Sequence, residues 1–317
     1  MRQIALLLLT LWGSAALAIG YAPVKIVLEA KKVSEHIYYV QGKAGAATAE
    51  NEGFNSNAGF VVTPDGVIVV DSLGTPSLGA ELIKVIRKTT DKPIKRVLVT
   101  HYHADHIYGL QAFQEAGAEI WAHQEARAYL DGEESKSRLQ QRKEALSPWV
   151  NDDTRLVTPA RWLDRDESFT FGGLHFDILH LGPAHSPEDI VIFVREDHIL
   201  FSGDILFSGR VPFVGDADSR RWLQVMSRLL ELKPKIMVTG HGEASLQPEK
   251  DLGLTRDYLT YLRTTMGKAV ADFISFDEAY AKTDWSRFSR LPAFEAANRV
   301  NAYGTYLLME KESLQSK

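Results

Sequence analysis

The sequence predicts an α/β fold in which two β-sheets pack face to face, helices cover the outer faces, and a helical extension follows. Three observations support this fold class. A unit of two strands, one helix and a third strand occurs twice in the 317-residue chain. The strands of both units are apolar along their whole length, which is typical of strands covered on both faces. From residue 249 onward, the apolar residues recur only at helical spacing. Together these features indicate an αββα sandwich with C-terminal helices.

The first unit opens with an apolar hairpin, residues 59–62 and 67–70, whose turn contains Pro64-Asp65-Gly66. Asp71 ends the hairpin. A helix is predicted next, because apolar residues recur at helical spacing at Leu78, Leu82, Val85 and Ile86. The third strand, residues 97–99, leads directly into His101.

The second unit repeats this order. Residues 190–194 and 199–203 form the hairpin, and Asp204 ends it. The helix is predicted from the spacing of Trp222, Val225, Leu229 and Leu230. The third strand, residues 236–238, leads into His241. Asp71 therefore corresponds to Asp204, and His101 to His241, so we expect the two units to deliver side chains to one shared cleft.

Three segments of the chain are distinguished by composition. Residues 1–18 combine a basic start, a short apolar run and Ala16-Leu17-Ala18, which is typical of a secretory signal peptide cleaved after Ala18. Residues 19–248 carry the repeated unit and form the predicted catalytic domain, in which 124–150 read as an exposed helical insertion. Residues 249–317 form the helical C-terminal extension. The apolar run of the signal is too short to span a bilayer, so we expect a periplasmic or secreted protein with no stable membrane association after cleavage.

Composition excludes some classes of function. A net charge of −5 and the lack of a basic stripe argue against nucleic acid as a partner. The chain has no cysteine, which removes disulfides and thiolate metal ligands together. The oligomeric state stays open.

Metal ligands are concentrated in one short segment. Residues 100–106 read Thr-His-Tyr-His-Ala-Asp-His, directly after an apolar strand. Imidazole nitrogens and carboxylate oxygens are ligands that borderline divalent cations accept. Further candidates stand between apolar runs and small turn residues downstream. The predicted ligand set is His101, His103, Asp105, His106, His185, Asp204 and His241.

This ordered set resembles the metallo-β-lactamase superfamily, whose pattern is His-x-His-x-Asp-His followed by His, Asp and His. The resemblance covers roughly residues 30–245 and implies the αββα sandwich. It implies two metal ions, which we expect to be two Zn²⁺ per chain, with iron or manganese as alternatives. One ion would be held by His101, His103 and His185, the other by Asp105, His106 and His241. Asp204 would bridge them.

The resemblance also implies a mechanism. A water shared by two cations loses its proton at neutral pH, and the resulting metal-bound hydroxide would attack a carbonyl of a small-molecule ester, thioester, lactone or lactam. Asp105 and Asp204 are the predicted catalytic residues, since Asp105 could orient the water or shuttle its proton.

The substrate stays open among several relatives. The segment around Asp204 is similar to a glyoxalase II segment, whereas the loop around His185 is similar to that of lactamases. Tyr108-Gly109 departs from the Gly-Gly of glyoxalase II. The whole pattern, including residues 298–303, most resembles exported SoxH-like metallohydrolases linked to quinoprotein or sulfur-oxidation systems. Two other classes stay open: a mono-iron persulfide dioxygenase, and a non-catalytic metal- or cofactor-binding protein of a periplasmic relay.

A few further residues are candidates for weaker roles. Residues 54–57 could line the cleft mouth, and Asn57 could hydrogen-bond a substrate. Arg210 could clamp a carboxylate or form a salt bridge. We expect Asp71 to fix the loop that carries the histidine motif. The other histidines are expected to be structural; they are His36, His123, His175, His180 and His198.

Overall fold

The computed structural model describes residues 20–215 and 217–315, so the predicted signal peptide lies outside the described residues. The strands are β1 (Ala30–Lys32), β2 (Ile37–Val40), β3 (Ala58–Thr63), β4 (Gly66–Val70), β5 (Ile94–Leu98), β6 (Glu119–His123), β7 (Arg161–Leu163), β8 (Glu167–Phe171), β9 (Leu174–His180), β10 (Ile190–Val194), β11 (Ile199–Phe207) and β12 (Ile236–His241). The helices are α1 (Pro76–Thr89), α2 (Ala104–Ile107), α3 (Leu110–Glu115), α4 (Ala126–Asp131), α5 (Glu133–Leu146), α6 (Ser219–Glu231), α7 (Pro248–Ala271), α8 (Phe276–Lys282) and α9 (Phe294–Gln315).

These strands form two sheets. The first runs in the order β1-β2-β3-β4-β5-β6-β7 and the second in the order β12-β11-β10-β9-β8. The two sheets pack face to face through one apolar core that contains residues of both. This core includes Val61, Ile68, Phe176 and Ile192. Helices cover the opposite face of each sheet, which confirms the predicted αββα sandwich.

The duplicated unit is confirmed by strand pairing. In the first sheet β3 and β4 pair antiparallel, and β4 pairs parallel with β5 across helix α1. In the second sheet β10 and β11 pair antiparallel, and β11 pairs parallel with β12 across helix α6. Strands β4 and β5 therefore correspond to β11 and β12. This arrangement delivers residues from both halves to one edge of the sandwich.

Local sequence explains where both crossover helices begin. Helix α1 starts at Pro76, and the Thr75 side chain accepts a hydrogen bond from the Leu78 amide at 3.0 Å. Helix α6 starts after Asp218, whose carboxylate caps the Arg221 amide at 2.9 Å. Trp222 of α6 is fully buried, which stabilises the fold by about 2 kcal/mol.

The C-terminal helices share a core with the second sheet. Leu259 of α7 and Ala302 of α9 belong to the same buried cluster as Trp222 and Leu200 of β11. The helical extension predicted from residue 249 is therefore present from Pro248, and it packs directly on the domain that carries the histidine motif. No described helix is both long and apolar enough to cross a membrane.

Candidate metal centre

Two groups of side chains that could hold a metal ion lie side by side at the edge of the sandwich. Within each group, one ligand atom per residue lies within 4.8 Å of the others. Most of these residues stand in loops after β5 and β9, within β11, or at the end of β12. The first group is His101, His103, His185 and Asp204, and the second is Asp105, His106 and His241. The structure thus brings together all seven residues predicted as ligands.

Asp204 stands between the two groups. Its Oδ2 atom lies 3.8 Å from Nε2 of His101, 3.4 Å from Nε2 of His185 and 3.3 Å from Nε2 of His241. Its Oδ1 atom lies 3.3 Å from Nε2 of His106. One buried carboxylate therefore faces histidines of both groups, as expected of a bridging ligand.

The outer nitrogen of three histidine rings is engaged by the protein. Nδ1 of His101 lies 3.0 Å from Thr100 Oγ1, and Nδ1 of His106 lies 2.9 Å from a carboxylate oxygen of Asp71. Nδ1 of His241 lies 2.7 Å from the backbone carbonyl of Asn55 and 3.1 Å from a terminal nitrogen of Arg210. Each of these rings turns Nε2 toward Asp204. Such outer contacts set the tautomer and orientation of metal-binding histidines.

Several buried polar atoms of the cluster have no hydrogen-bond partner among the described residues. They are Nε2 of His101, Nε2 of His106, Nδ1 of His185 and Oδ1 of Asp204. Leaving such an atom unsatisfied costs about 1–3 kcal/mol, more when it is charged. In addition, Nε2 of His185 and Nδ1 of His103 lie only 2.9 Å apart, and two imidazole lone pairs at that distance repel unless a proton or cation lies between them. The donor set fits borderline divalent cations, because nitrogen and carboxylate ligands converge on shared space.

The electrostatics of the site keep two imidazoles neutral. Burial, reinforced by His106, lowers the pKa of His101 well below its usual range. Burial and the neighbouring His103 lower the pKa of His185 to about 3. A neutral imidazole is the form that binds a metal ion, so no proton has to be displaced from either ring near neutral pH.

In His106 and the two carboxylates, neighbouring charges outweigh burial and favour the ionised form. Burial opposes charge on His106, but the carboxylates of Asp204 and Asp71 outweigh it and raise its pKa well above the usual value. Burial alone would raise the pKa of Asp204, yet His241 and His106 hold it well below the usual range. Both carboxylates of the cluster stay ionised, because His106 and His241 likewise lower the pKa of Asp105 against the effect of burial.

Asn55 is a site residue that the sequence reasoning missed. Its Nδ2 atom donates to Oδ2 of Asp105 at 2.8 Å, and its backbone carbonyl lies 2.7 Å from Nδ1 of His241. The neighbouring Ser56 hydroxyl donates to the backbone carbonyl of Asp105. The sequence predicts a substrate contact in the segment 54–57 at Asn57, whereas the residue of this segment that contacts the cluster is Asn55.

Neither predicted substrate contact is supported by the hydrogen bonds of the structure. Asn57 is buried. Its Oδ1 accepts from the Gly42 amide, and its Nδ2 donates to the carbonyls of Thr239 and Gly242. Its amide group is thus used to join loops, which leaves no free donor for a substrate.

Arg210 is also buried, and it clamps no carboxylate in the described part of the chain. One terminal nitrogen donates to the carbonyl of Gly45 at 3.0 Å and lies 3.1 Å from Nδ1 of His241. Burial lowers the pKa of Arg210, although Asp204 and Asp105 favour its charge. Its charge therefore lies close enough to the cluster to act on it.

The histidines expected to be structural lie outside both metal-binding groups. His123 and His180 stack on each other with ring centroids 3.6 Å apart. His36 pairs with Asp197, and His175 pairs with Glu196. His198 is exposed.

A family model describes most of the region that carries these residues. The model of the metallo-β-lactamase superfamily matches residues 51–241, which contain all seven candidate ligands. The chain belongs to the metallo-β-lactamase superfamily. The sequence resemblance is confirmed at this level.

Relatives of this chain have different activities. The chain is 32% identical over 172 residues to hydroxyacylglutathione hydrolase GloC of Haemophilus influenzae, covering 52% of this chain and 77% of that protein. It is 24% identical over 240 residues to a linear primary-alkylsulfatase of a Pseudomonas strain, covering 64% of this chain and 45% of the relative. The chain thus spans less than half the length of this alkylsulfatase.

Solved structures of the superfamily share the fold. A metallo-β-lactamase from Pontibacter korlensis superposes with a TM-score of 0.60 at 24% identity, covering 74% of this chain and 99% of that one. The sec-alkylsulfatase Pisa1 from Pseudomonas superposes with a TM-score of 0.65 at 16% identity, covering 89% of this chain and 50% of that one.

Proposed function

We propose that the protein is an exported zinc-dependent hydrolase that holds two metal ions and attacks the carbonyl of a small-molecule ester, thioester, lactone or lactam. The observation that carries the proposal is the position of Asp204. Its two oxygens lie within 3.8 Å of four histidines that belong to both ligand groups. A buried carboxylate in that position is the ligand that two adjacent cations would share.

Each ion has its own ligands in this proposal. His101, His103 and His185 would hold the first, and the second would be held by Asp105, His106 and His241. Cations bound there would lower the pKa of water and polarise the group under attack.

The chain itself supplies orientation and proton handling. Asp105 and His103 are the partly exposed members of the cluster, so the site opens to solvent at these two side chains. Asn55 fixes Oδ2 of Asp105 at 2.8 Å, and Nε2 of His241 lies 3.4 Å from the same oxygen. Because its pKa is held low, Asp105 is ionised near neutral pH and can accept a hydrogen bond from a water at the open side.

Hydrolysis of a sulfate ester is the second candidate. The similarity to sec-alkylsulfatase Pisa1 covers 89% of the chain, more than the 74% covered by the lactamase, so it reaches beyond the domain matched by the family model. The same ligand set would serve this reaction, since a sulfate ester is also attacked by an oxygen nucleophile.

The two other classes differ in metal content. A persulfide dioxygenase needs one iron, and the group of Asp105, His106 and His241 would then have no ion to bind. A non-catalytic binding protein would hold metal and turn over nothing.

Elemental analysis combined with a substrate panel tests the proposal. The purified protein should hold about two zinc ions per chain, and it should hydrolyse at least one member of a panel containing a p-nitrophenyl ester, a glutathione thioester, an acyl-homoserine lactone, a cephalosporin and an alkyl sulfate. One iron per chain with persulfide oxidation would favour the dioxygenase. Full loading without turnover would favour the binding protein, and cleavage of the alkyl sulfate alone would favour the second candidate.

Export is part of the proposal and rests on the composition of residues 1–18. The likeness to SoxH-like metallohydrolases belongs with it, because those proteins are exported too. N-terminal sequencing of the protein from a periplasmic fraction should start near Ile19. An intact Met1 in that fraction would contradict cleavage.

A further inference from the structure

A cavity of about 320 Å³ adjoins the candidate metal centre. His103 and His185 of the first ligand group form part of its wall. His185 is buried, and its Nδ1 atom has no hydrogen-bond partner in the described part of the chain. The volume falls within the range of small-molecule sites, roughly 300–1,000 Å³. This cavity is therefore the space available to the part of a substrate that lies away from the metal ions.

The wall of the cavity carries carboxylates. Two of them have structural partners: Glu188 accepts from the Tyr102 amide at 2.9 Å, and Asp218 caps α6. The other two, Glu125 before α4 and Glu134 in the first turn of α5, are exposed and form no ion pair among the described residues. These two are free to meet a ligand.

The remaining wall is aromatic and apolar. Tyr129 of α4 lines it together with Pro183 and Pro187. Within the described ranges no lysine or arginine lines the cavity. Arg138 and Arg142 of α5 act on Tyr129 electrostatically, but neither lines the wall. An aromatic ring together with unpaired carboxylates is the chemistry that recognises an ammonium group.

We propose that this cavity selects substrates that carry an ammonium group on the part remote from the cleaved bond, with Glu125 and Glu134 as the specificity-determining carboxylates. The reacting end of such a substrate lies toward His103 and His185, so this inference rests on the proposed hydrolase function. An anionic remote group, such as the carboxylates of glutathione, meets four acidic side chains there and is disfavoured.

Three matched esters test the selection on the zinc-loaded protein: the p-nitrophenyl esters of butyric acid, 4-(trimethylammonio)butyric acid and succinic acid. After correction for spontaneous hydrolysis, we expect kcat/KM for the cationic ester to exceed that for the anionic one by about tenfold. The Glu125→Gln, Glu134→Gln double variant should lower the ratio of cationic to neutral ester by about threefold or more. Glu133→Gln is the control, because Glu133 is exposed on the same helix and pairs with Lys136; it should leave the ratio unchanged.

A binding measurement separates this inference from the hydrolase proposal. Benzyltrimethylammonium, titrated into the zinc-loaded protein by calorimetry, should bind the wild type and bind the double variant more weakly. Binding without turnover of these esters or of any member of the substrate panel would support the cavity assignment and overturn the hydrolase. Turnover of the neutral ester with no cationic preference and no binding would overturn the cavity assignment alone. A preference for the anionic ester would also overturn it and would implicate Arg138.

Discussion

Asp71 accepts a hydrogen bond from Nδ1 of His106 at 2.9 Å, and this contact fixes the ring nitrogen that faces Asp204. The same carboxylate accepts from the amide and the hydroxyl of Thr100, both at 2.8 Å. Thr100 Oγ1 in turn touches the ring of His101. Asp71 thus orients ligands of both groups, although it contacts neither ion position itself. Its expected role in fixing the loop of the histidine motif is confirmed.

Replacing this carboxylate should weaken metal binding more than it disturbs the fold. In Asp71→Asn, one carboxylate oxygen becomes an amide nitrogen, which cannot accept a hydrogen bond from Thr100 or His106. His106 also loses the negative charge that raises its pKa. We expect zinc affinity to fall by about 10–100-fold, the usual effect of losing such an outer partner. Competition with a chromophoric chelator measures the affinity. Asp65→Asn, in the exposed turn of the same hairpin, is the control; equal affinity losses in both variants would contradict the role of Asp71.

The clustering of the seven candidate ligands could be predicted because each follows or ends an apolar run and the two halves repeat. The segment 54–57 shows where sequence reasoning stops. Asn55 and Asn57 are two positions apart, and only the fold shows that Asn55 meets Asp105, fifty positions away, whereas Asn57 is used to join loops. Spacing alone does not give the partner of a polar side chain in an irregular segment.

The C-terminal helices show the same limit at a larger scale. Their periodicity predicts apolar faces, and those faces exist. Periodicity does not say which sheet a face packs on, so the core shared by Leu259 and Trp222 emerges only from the tertiary structure. Similarly, the sequence suggests that Arg210 contacts a carboxylate, whereas in the structure it is buried beside His241.

Removing the charge of Asp204 should affect both ions at once. Asp204→Asn keeps the shape of the side chain but leaves a neutral amide facing histidines of both groups. We expect the zinc content to fall below two per chain and the activity on the best substrate of the panel to fall by orders of magnitude. Metal content must be measured in parallel by elemental analysis. A variant that keeps two ions and turns over normally would rule out the bridging role.

Chelation should lower thermal stability as well as activity. The buried Nε2 atoms of His101 and His106 lack protein partners, so metal ions that bind them stabilise the folded state by mass action. We expect the Tm to drop in excess chelator and to return when zinc is added. An unchanged Tm, with metal loss verified, would argue against a structural contribution of the ions.

His123 should make the metal-free protein sensitive to mild acid. Burial, helped by the stacked His180, lowers the pKa of His123 to about 4 in the fold, from an ordinary value of 6.5. The unfolded chain therefore binds a proton before the folded one does, and the free energy of unfolding decreases as pH falls from 6.5 toward 4. Below that window this contribution levels off.

The variant His123→Gln should flatten the pH dependence within this window. Urea unfolding of the metal-free proteins at several pH values measures it, because chelation removes the contribution of metal release. His198→Asn serves as the control, since His198 is exposed and asparagine tolerates its positive φ of 52°. Part of the slope should remain in both proteins, because the pKa values of His101 and His185 are lowered as well. A slope in His123→Gln equal to that of the wild type would refute the assignment.

Gly240 leaves room for the carboxylate of Asp204, and this close approach gives the last prediction. A Cβ atom at position 240 would lie 1.9 Å from Oδ1 of Asp204 and 2.8 Å from the backbone carbon of Gly203. The backbone neighbour cannot move cheaply, so in Gly240→Ala the Asp204 side chain must leave its place between the two ligand groups. We expect loss of at least one zinc ion and of activity, with a free energy of unfolding lowered by about 1–3 kcal/mol from the overpacking.

Gly253→Ala is the matched control, because a Cβ there meets only Arg256 at 3.6 Å and a helical glycine-to-alanine change is favourable by roughly 0.5–1 kcal/mol. Elemental analysis and urea unfolding of both variants decide the matter: a Gly240→Ala protein with two ions and wild-type activity would show that Asp204 need not stand where the structure has it.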